Sequence, residues 1–335
     1  MSMNNPFDSA AFNMASLTDA INILPNNYGR VGQLRLFRPK PVRFRTIAIE
    51  ENNGILNLLS TQTPGSPGTV GSRGKRKLRS FNIPHIPHDD VVLPEEVQGI
   101  RAFGAEDQVK ELSEVIADHL QAMRDKHAIT LEHLRIGALK GIILDADGSE
   151  LVNLYDEFEI APKTISFALG TAGTNVKKKC LDVKRHIEKN LRGEFMNGIH
   201  ALVSPEFFDA LTSHANVKEA YERWQEGRAL REDMRNGFAF GGIVFEEYNA
   251  EASDPDGNVR RFIAQDEGHC FPIGTAQTFK NYFAPGDFNE AVNTLGRPIY
   301  AKQESRKFER GTDIHTQSNP LPLCLRPGVL VKLTA

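Results

Sequence analysis

Between Ala105 and Ile136 the chain has neither proline nor glycine, and Val109, Leu112, Ile116, Leu120, Met123, His127, Leu131, Leu134 and Ala138 recur at steps of three and four. That is one apolar face of an α-helix. The spacing predicts a helix from about Glu106 to Lys140, with Glu106 and Asp107 at the end where the helix dipole favours carboxylates. At about 1.5 Å per residue such a helix runs on the order of 50 Å. A rod of that length acts as a strut, and the rest of the chain must be arranged along it. Leu112, Ile116, Leu120, Met123, Leu131 and Leu134 are the candidate core residues of this spine.

The segments before the strut do not read as a domain. "SLTDAINIL" predicts a short helix capped by Ser16, and "PNNYGRVGQLRLFRPKPV" predicts extended chain broken by proline and glycine. No compact core is expected in residues 1–40, which read as an arm. "FRTIAIEENNGILNLLS" predicts strand, turn and strand, with Asn53-Gly54 supplying the positive φ angles of a tight turn. Next comes "GSPGTVGSRGKRKLR", a flexible glycine-rich half followed by Arg73, Lys75, Arg76, Lys77 and Arg79. The return leg is punctuated by Pro84, Pro87 and Pro94. Residues 42–98 therefore read as a long hairpin excursion. A two-stranded ribbon is marginal in water on its own, so something outside it should hold it.

Beyond the strut, "GIILDADGSELVNLYDEFEI" predicts a hairpin around Asp147-Gly148. Val176, Cys180, Val183, Ile187 and Leu191 line one face of a helix over Asn175–Leu191. "GIHALV" predicts a strand, and Ser204-Pro205-Glu206 is a cap followed by proline at the first helical position. "FGGIVFEEYN" and "NVRRFIAQ" are expected to pair around "DPDG", and "VLVKL" ends the chain as a strand. The class is α+β.

The chemistry is sparse. The chain has 335 residues, 40% hydrophobic and 25% charged, a globular composition with a net charge of −3. A dedicated nucleic-acid binder is usually clearly basic, so any contact with nucleic acid should be local. Cys180, Cys270 and Cys324 form no CxxC pair and no disulfide framework. The N-terminus lacks the order of a signal peptide, and no apolar run is long enough to span a bilayer. The expected setting is the cytoplasm, with no membrane partner.

"DADGSE" and "DPDGNV" begin like calcium loops but lack the remaining ligands, and tight turns explain both. His85, His88, Asp89 and Asp90 in "HIPHDD" have metal-ligand chemistry, but an extended leg between prolines is the simpler reading. His119, Met123 and His127 share a helix face and read as packed or surface residues. There is no nucleophile elbow, no zinc-protease signature and no carboxylate pair of catalytic spacing. The expectation is no enzyme, no cofactor and no metal. For the basic finger the pattern leaves three readings open: a solvated loop, a salt-sensitive nucleic-acid patch, or a clamp on an acidic surface of another copy.

Four stretches carry a resemblance that covers nearly the whole chain: "RGKRKLRSFNIPHIPHDD", "VQGIRAFG", "CFPIGTAQTFKNYFAPGDFNEAVNTLGRPIYAKQ" and "SNPLPLCLRPGVLVKL". With the order of arm, basic hairpin, strut, mixed domain and returning strand, the chain resembles the lambda-like major capsid proteins of tailed bacteriophages, the E family. The resemblance implies the Hong Kong ninety-seven type capsid fold. It implies an N-terminal arm (1–41), an extended loop (42–98), a peripheral domain with the spine helix (99–168 and 299–335) and an axial domain (169–298). It implies self-assembly into pentamers and hexamers of an icosahedral head that encloses double-stranded DNA, held by weak non-specific contact. Scaffolding, portal and decoration proteins and a protease are the further components implied. No long N-terminal prosegment is visible, so a separate scaffolding protein is expected. Under this reading Arg73, Lys75, Arg76, Lys77 and Arg79 meet carboxylates on an adjacent copy. The glycines let one sequence bend differently in pentamers and hexamers. A nucleic-acid-binding protein using the loop 73–79 is the alternative.

Overall fold

The computed structural model describes residues 14–23, 29–52, 76–97, 112–224, 235, 237–254 and 256–335. The described chain opens with helix α1 (Met14–Ile23), a one-turn helix α2 (Arg30–Gln33) and strand β1 (Arg38–Pro41). These residues form no core among themselves but dock into two cores built by the rest of the chain. Leu17 and Ile21, four apart on α1, are buried, as are Val31, Leu36 and Phe37. Helix α1 begins before Ser16, which lies inside it rather than at its cap. Strand β1 holds Pro39 and Pro41, and it is tolerated because it is an edge strand.

Strand β2 (Thr46–Asn52) pairs antiparallel with β3 (Arg76–Asn82), from Thr46↔Asn82 to Asn52↔Arg76. The partner of β2 is therefore the strand beyond the finger, not residues 55–60 as the Asn53-Gly54 turn predicts. That turn, and Arg73 and Lys75, lie outside the described residues. The longer pairing puts Ile47 and Phe81 side by side, and both are buried in the main core. Strand β4 (Ile86–Val92) and helix α3 (Pro94–Val97) lead towards the strut.

Helix α4 (Leu112–Lys140) is the strut. It serves two separate cores. Val115, Ile116, Leu120 and Met123 pack with Leu17, Ile21, Val92, Ile299, Ala301 and Ile314 in one cluster. Leu134, Ile136, Ala138 and Leu139 belong to the larger one. Leu131 is half-buried. The expected first turn at Glu106, Val109 and the side chain of Leu112 lie outside the described residues.

Strands β5 (Ile142–Leu144) and β6 (Glu150–Asn153) form the predicted hairpin, with Gly148 at φ +88°. Asp147 accepts the N–H and hydroxyl of Ser149, so the turn satisfies its own carboxylate without a cation. Helix α5 (Leu154–Glu157) follows where strand was expected, because Asn153 caps it by accepting from Tyr155. Strand β7 (Lys163–Ser166) precedes helix α6 (Val176–Asn190), capped by Asn175 onto the N–H of Lys178 at 2.9 Å. Strand β8 (Gly198–Val203) leads into helix α7 (Pro205–Ser213), where Ser204 Oγ accepts from Phe207 N–H at 3.2 Å. Helix α8 (Ala215–Trp224) completes this run.

"FGGIVFEEYN" folds on itself: β9 (Phe238–Phe240) and β10 (Ile243–Glu247) pair around Gly241-Gly242, both at positive φ. The "DPDG" turn instead joins the short β11 (Glu251–Ser253) and β12 (Val259–Arg261), and Asp254 accepts backbone N–H groups of that turn. The predicted pairing of these two stretches fails because Gly241-Gly242 is the nearer turn. Strands β13 (Glu267–Ile273), β14 (Phe279–Phe283), β15 (Tyr300–Ser305), β16 (Thr312–Ser318), β17 (Pro320–Cys324) and β18 (Val331–Thr334) finish the chain.

Six strands form the main sheet in the order β7-β18-β13-β8-β10-β9. Alternation along β8, β10 and β13 puts Ala201, Phe245 and Cys270 on one face and His200, Glu246 and Phe271 on the other. Helices α6 and α7 cover the first face, with Phe167 touching both Phe207 and Phe245. The second face meets α2 through Arg30 and the sheet β1-β14-β17 through Phe271 on Phe279. Lys163–Ser166 and Val331–Thr334 pair into this sheet, although the expected division assigns both to the peripheral domain. A third sheet, β15-β16-β4, lies along the first half of α4.

Removing a buried leucine loses transfer energy and leaves a cavity. Leu120→Ala and Leu134→Ala, one in each core, should each destabilise the unassembled subunit by about 2–5 kcal/mol. Leu131→Ala, at a half-buried position, should cost distinctly less. Urea unfolding of the three variants checks the ranking.

Candidate assembly surface

The ribbon β2–β3 is held at its root by its own chain. On its inner face Phe81 stacks near Phe158 at 6.3 Å, and Arg79 lies over the same ring at 4.9 Å. Lys77 Nζ reaches Glu159 Oε2 at 2.7 Å. The lysine and, less strongly, Arg79 hold the Glu159 carboxyl below its usual range. Lys77 and Arg79, two of the five finger cations, thus have contacts within the subunit. Arg76 takes part through its backbone in β3. Period-two alternation turns Leu78 to the opposite face, where it is 70% exposed. Phe44, just before β2, is 68% exposed. Among the described residues β2 and β3 pair only with each other, so both outer edges of the ribbon offer free backbone groups.

The return leg is fastened to α4 by a histidine. His119 donates from Nδ1 to Asp90 of β4 at 2.7 Å and from Nε2 to Glu96 of α3 at 2.8 Å. Two carboxylates on two ring nitrogens require the doubly protonated imidazolium. Burial opposes that charge, but the two hydrogen bonds outweigh it and raise the His119 pKa. Burial likewise pushes Asp90 up, but the bond to His119 and the backbone N–H of Val91 bring it below its ordinary value.

The neighbouring His127 is buried and neutral. Thr316 Oγ1 donates to the His88 carbonyl and accepts from His127 Nε2 at 2.9 Å. Burial, with His88 and His315 nearby, lowers the His127 pKa to about 4.

The members of "HIPHDD" go to different partners. His85 meets Asn319, His88 meets Lys126, Asp89 meets His315 and Asp90 meets His119. Among the described residues no group of three His, Cys, Asp or Glu side chains is placed to hold a metal ion. The three cysteines are free and buried, and burial pushes the Cys180 and Cys324 thiols up to about 12. Sequence spacing gave no sign of the His119 clamp, because its three members come from three elements.

A second anchor ties α2 to the strut and sheet. Glu132 of α4 accepts the N–H of Val31 at 2.7 Å, the N–H of Gly32 at 3.3 Å and the hydroxyl of Tyr248 at 3.2 Å. Arg30 binds Glu246 at 2.5 Å, and Glu246 also accepts from His200 at 2.9 Å. Between β15 and β16, Phe308 stands 87% exposed at φ +64°, a conformation a bulky residue rarely adopts.

Comparison with known proteins bears on the whole chain. The model of the family described as phage major capsid protein E matches residues 13–335. The major capsid protein of Salmonella phage Felix O1 is 29% identical over 98% of this chain and 97% of its own length. A solved structure of a protein assigned as a prophage capsid protein in E. coli CFT073 superposes with a TM-score of 0.63 at 14% identity. It covers 96% of this chain and 98% of that one. The asymmetric unit of the bacteriophage PhiM1 mature capsid gives a TM-score of 0.51 at 14% identity, covering 93% and 88%.

The clamp has a defined pH response. His119 contributes fully below about pH 6.5, its ordinary pKa, and the contribution is lost as pH rises through its raised folded value. Asp90 contributes above pH 3.8 and is lost on acidification. His127 acts in the opposite sense to His119: stability falls as pH drops from 6.5 towards 4, because the buried ring must charge. His119→Gln should therefore lose more stability at pH 6 than at pH 8.5, by no more than about 1 kcal/mol for partly exposed partners. Urea midpoints at the two pH values read the difference, and equal losses would show that the charge on His119 contributes nothing.

Proposed function

The chain belongs to the phage major capsid protein E family, and from that premise we propose that the ribbon of residues 42–98 is the extended loop that locks each subunit to the next. As a major capsid protein it forms the capsid of a tailed phage virion, with the Hong Kong ninety-seven type fold. The units of the shell are homo-pentamers and homo-hexamers. Residues 99–168 with 299–335 serve as the peripheral domain and 169–298 as the axial domain, with β7 and β18 stitching the two together. The role is structural rather than enzymatic. Scaffolding, portal and decoration proteins are proposed as the further partners on family membership alone. No observation favours a separate nucleic-acid-binding function for the loop 73–79.

The ribbon carries this reading. Its inner face rests on Phe158 and Glu159, while its outer face presents Leu78 and its two edges stay open. A marginal two-stranded element with an exposed leucine and free edges gains most from a neighbouring surface. Phe44 and Phe308 are two further large apolar side chains left for such neighbours. Lys77 and Arg79 hold the root, which leaves Arg73, Lys75 and Arg76 as the cations proposed to meet an adjacent copy.

Replacing Arg73, Lys75 and Arg76 by Gln, together with Leu78→Asn, should leave the subunit folded, since Leu78 is exposed and charged side chains contribute little to a core. The critical concentration for assembly should rise several-fold and shells should open at lower temperature. High salt should weaken wild-type assembly in the same direction, as the Debye length falls to about 3 Å at 1 M. Light scattering and sedimentation of empty shells measure both effects. Normal empty shells from the variant, with DNA retention alone impaired, would reject the lock in favour of a nucleic-acid loop.

A further inference from the structure

Helix α6 carries a cationic face that the capsid contacts above do not use. Its sequence, VKKKCLDVKRHIEKN, sets Lys177, Lys178, Lys179, Lys184, Arg185 and Lys189 against only Asp182 and Glu188. Val176, Cys180, Val183 and Ile187 are buried against the sheet, so Lys178, Arg185 and Lys189 occupy the side turned away, with Lys177, Lys179 and Lys184 on its flanks. Both carboxylates are engaged within the helix, Asp182 by Arg185 at 3.6 Å and Glu188 by Lys184 at 4.0 Å. Among the described residues no carboxylate lies within ion-pair distance of Lys177, Lys178, Lys179 or Lys189. The patch extends to a second element: His186 of α6 meets the Gly328 carbonyl at 3.0 Å, and just beyond it Val331 pairs with the exposed Lys163 of β7.

This arrangement works against the helix. Lys177, Lys178 and Lys179 sit in the first turn, where the dipole favours carboxylates and none is present. The chain as a whole is net acidic, so the surplus is local. Lys178, Arg185 and Lys189 fall within about 40° of one another around the axis and span about 16 Å along it. Duplex DNA offers one phosphate charge per about 1.7 Å of its axis, so a straight row of this length faces several. The row is mostly lysine, a point charge that suits phosphate without demanding one geometry. Helix α6 itself carries no Phe, Tyr or Trp for stacking unpaired bases, which favours duplex over single strand.

We propose that the outward face of α6, extended by Lys163, is a non-specific contact surface for packaged duplex DNA on the inner wall of the shell. The proposal rests on the capsid reading for the duplex and for the wall. The contact is weak per subunit and gains strength from repetition across the shell.

The test is binding of a 30-base-pair duplex of arbitrary sequence to the purified full-length subunit, with K177Q/K178Q/K179Q/K189Q alongside wild type. Four lysine–phosphate contacts give a slope of log K against log salt near −3.6. Wild-type affinity should then fall about 100-fold between 50 and 200 mM salt. The variant should lose most of both the affinity and the slope, while the matching set of Lys→Arg changes retains them. If the fourfold variant does not fold, K178Q/K189Q takes its place and should lose about half the slope. Duplex binding by the variant with wild-type affinity and slope overturns the proposal. So does a folded variant whose duplex binding is intact but whose empty-shell yield falls, since the face would then meet an acidic protein surface. Shell formation by wild type is scored separately: its failure counts against the capsid reading, whereas unchanged duplex binding counts against α6.

Discussion

The structure depends on one uninterrupted helix crossing two hydrophobic clusters. The first half of α4 packs against α1 and the sheet β15-β16-β4, and its second half enters the core beneath the main sheet. Between them α4 presents polar groups, among them His127 bonded to Thr316 and Glu132 bonded to the N–H groups of α2. His127 and Glu132 each fix a register between the helix and another element, because an unmatched partner would be left desolvated. Glu132 holds the N-terminal segment, and His119, one turn into the other cluster, holds the return leg of the ribbon. Apolar packing gives the strut its stability, and these side chains give it its alignment.

Much of this order was legible in the chain, and the reasons are local. Asn175 and Ser204-Pro205 begin helices where cap chemistry says they should, and Asp147-Gly148 turns a hairpin. The apolar period of α4 and α6 identified both helices and their buried faces. Local signals failed where a nearer turn competed, as at Gly241-Gly242, or where a cap redirected the chain, as at Asn153. They gave β1 as extended chain but not its partner, and they did not give the parallel pairings of β10 with β8 and β18 with β7, which no spacing announces.

The assembly surface divides along the same line. That residues 73–79 are basic and follow a flexible stretch is written in the sequence. That Lys77 turns inward to Glu159 is not, because the two are 82 positions apart. The bridging role of His119 was invisible for the same reason, although its helix face was assigned. The charge on α6 is equally plain in the sequence, but which of its cations lack a carboxylate partner is not. Chemistry is carried by residue type and can be read at once, whereas partnership is carried by topology.

Strand β1 pairs with β14 in the register Arg38↔Lys280 to Pro41↔Phe283. A strand near the start of the chain therefore waits for one made some 240 residues later, and β18, at the far end, completes the sheet between β7 and β13. Pairings of such separation are slow to form, because the loop must close before any contact rewards it. On the ribosome, where synthesis proceeds at about 5–20 residues per second, neither core can close until Ile299, Ile314 and Val331 have been made. A nascent chain then has no finished surface to offer its siblings. The order of the strands along the chain thus sets the earliest moment at which either core can close.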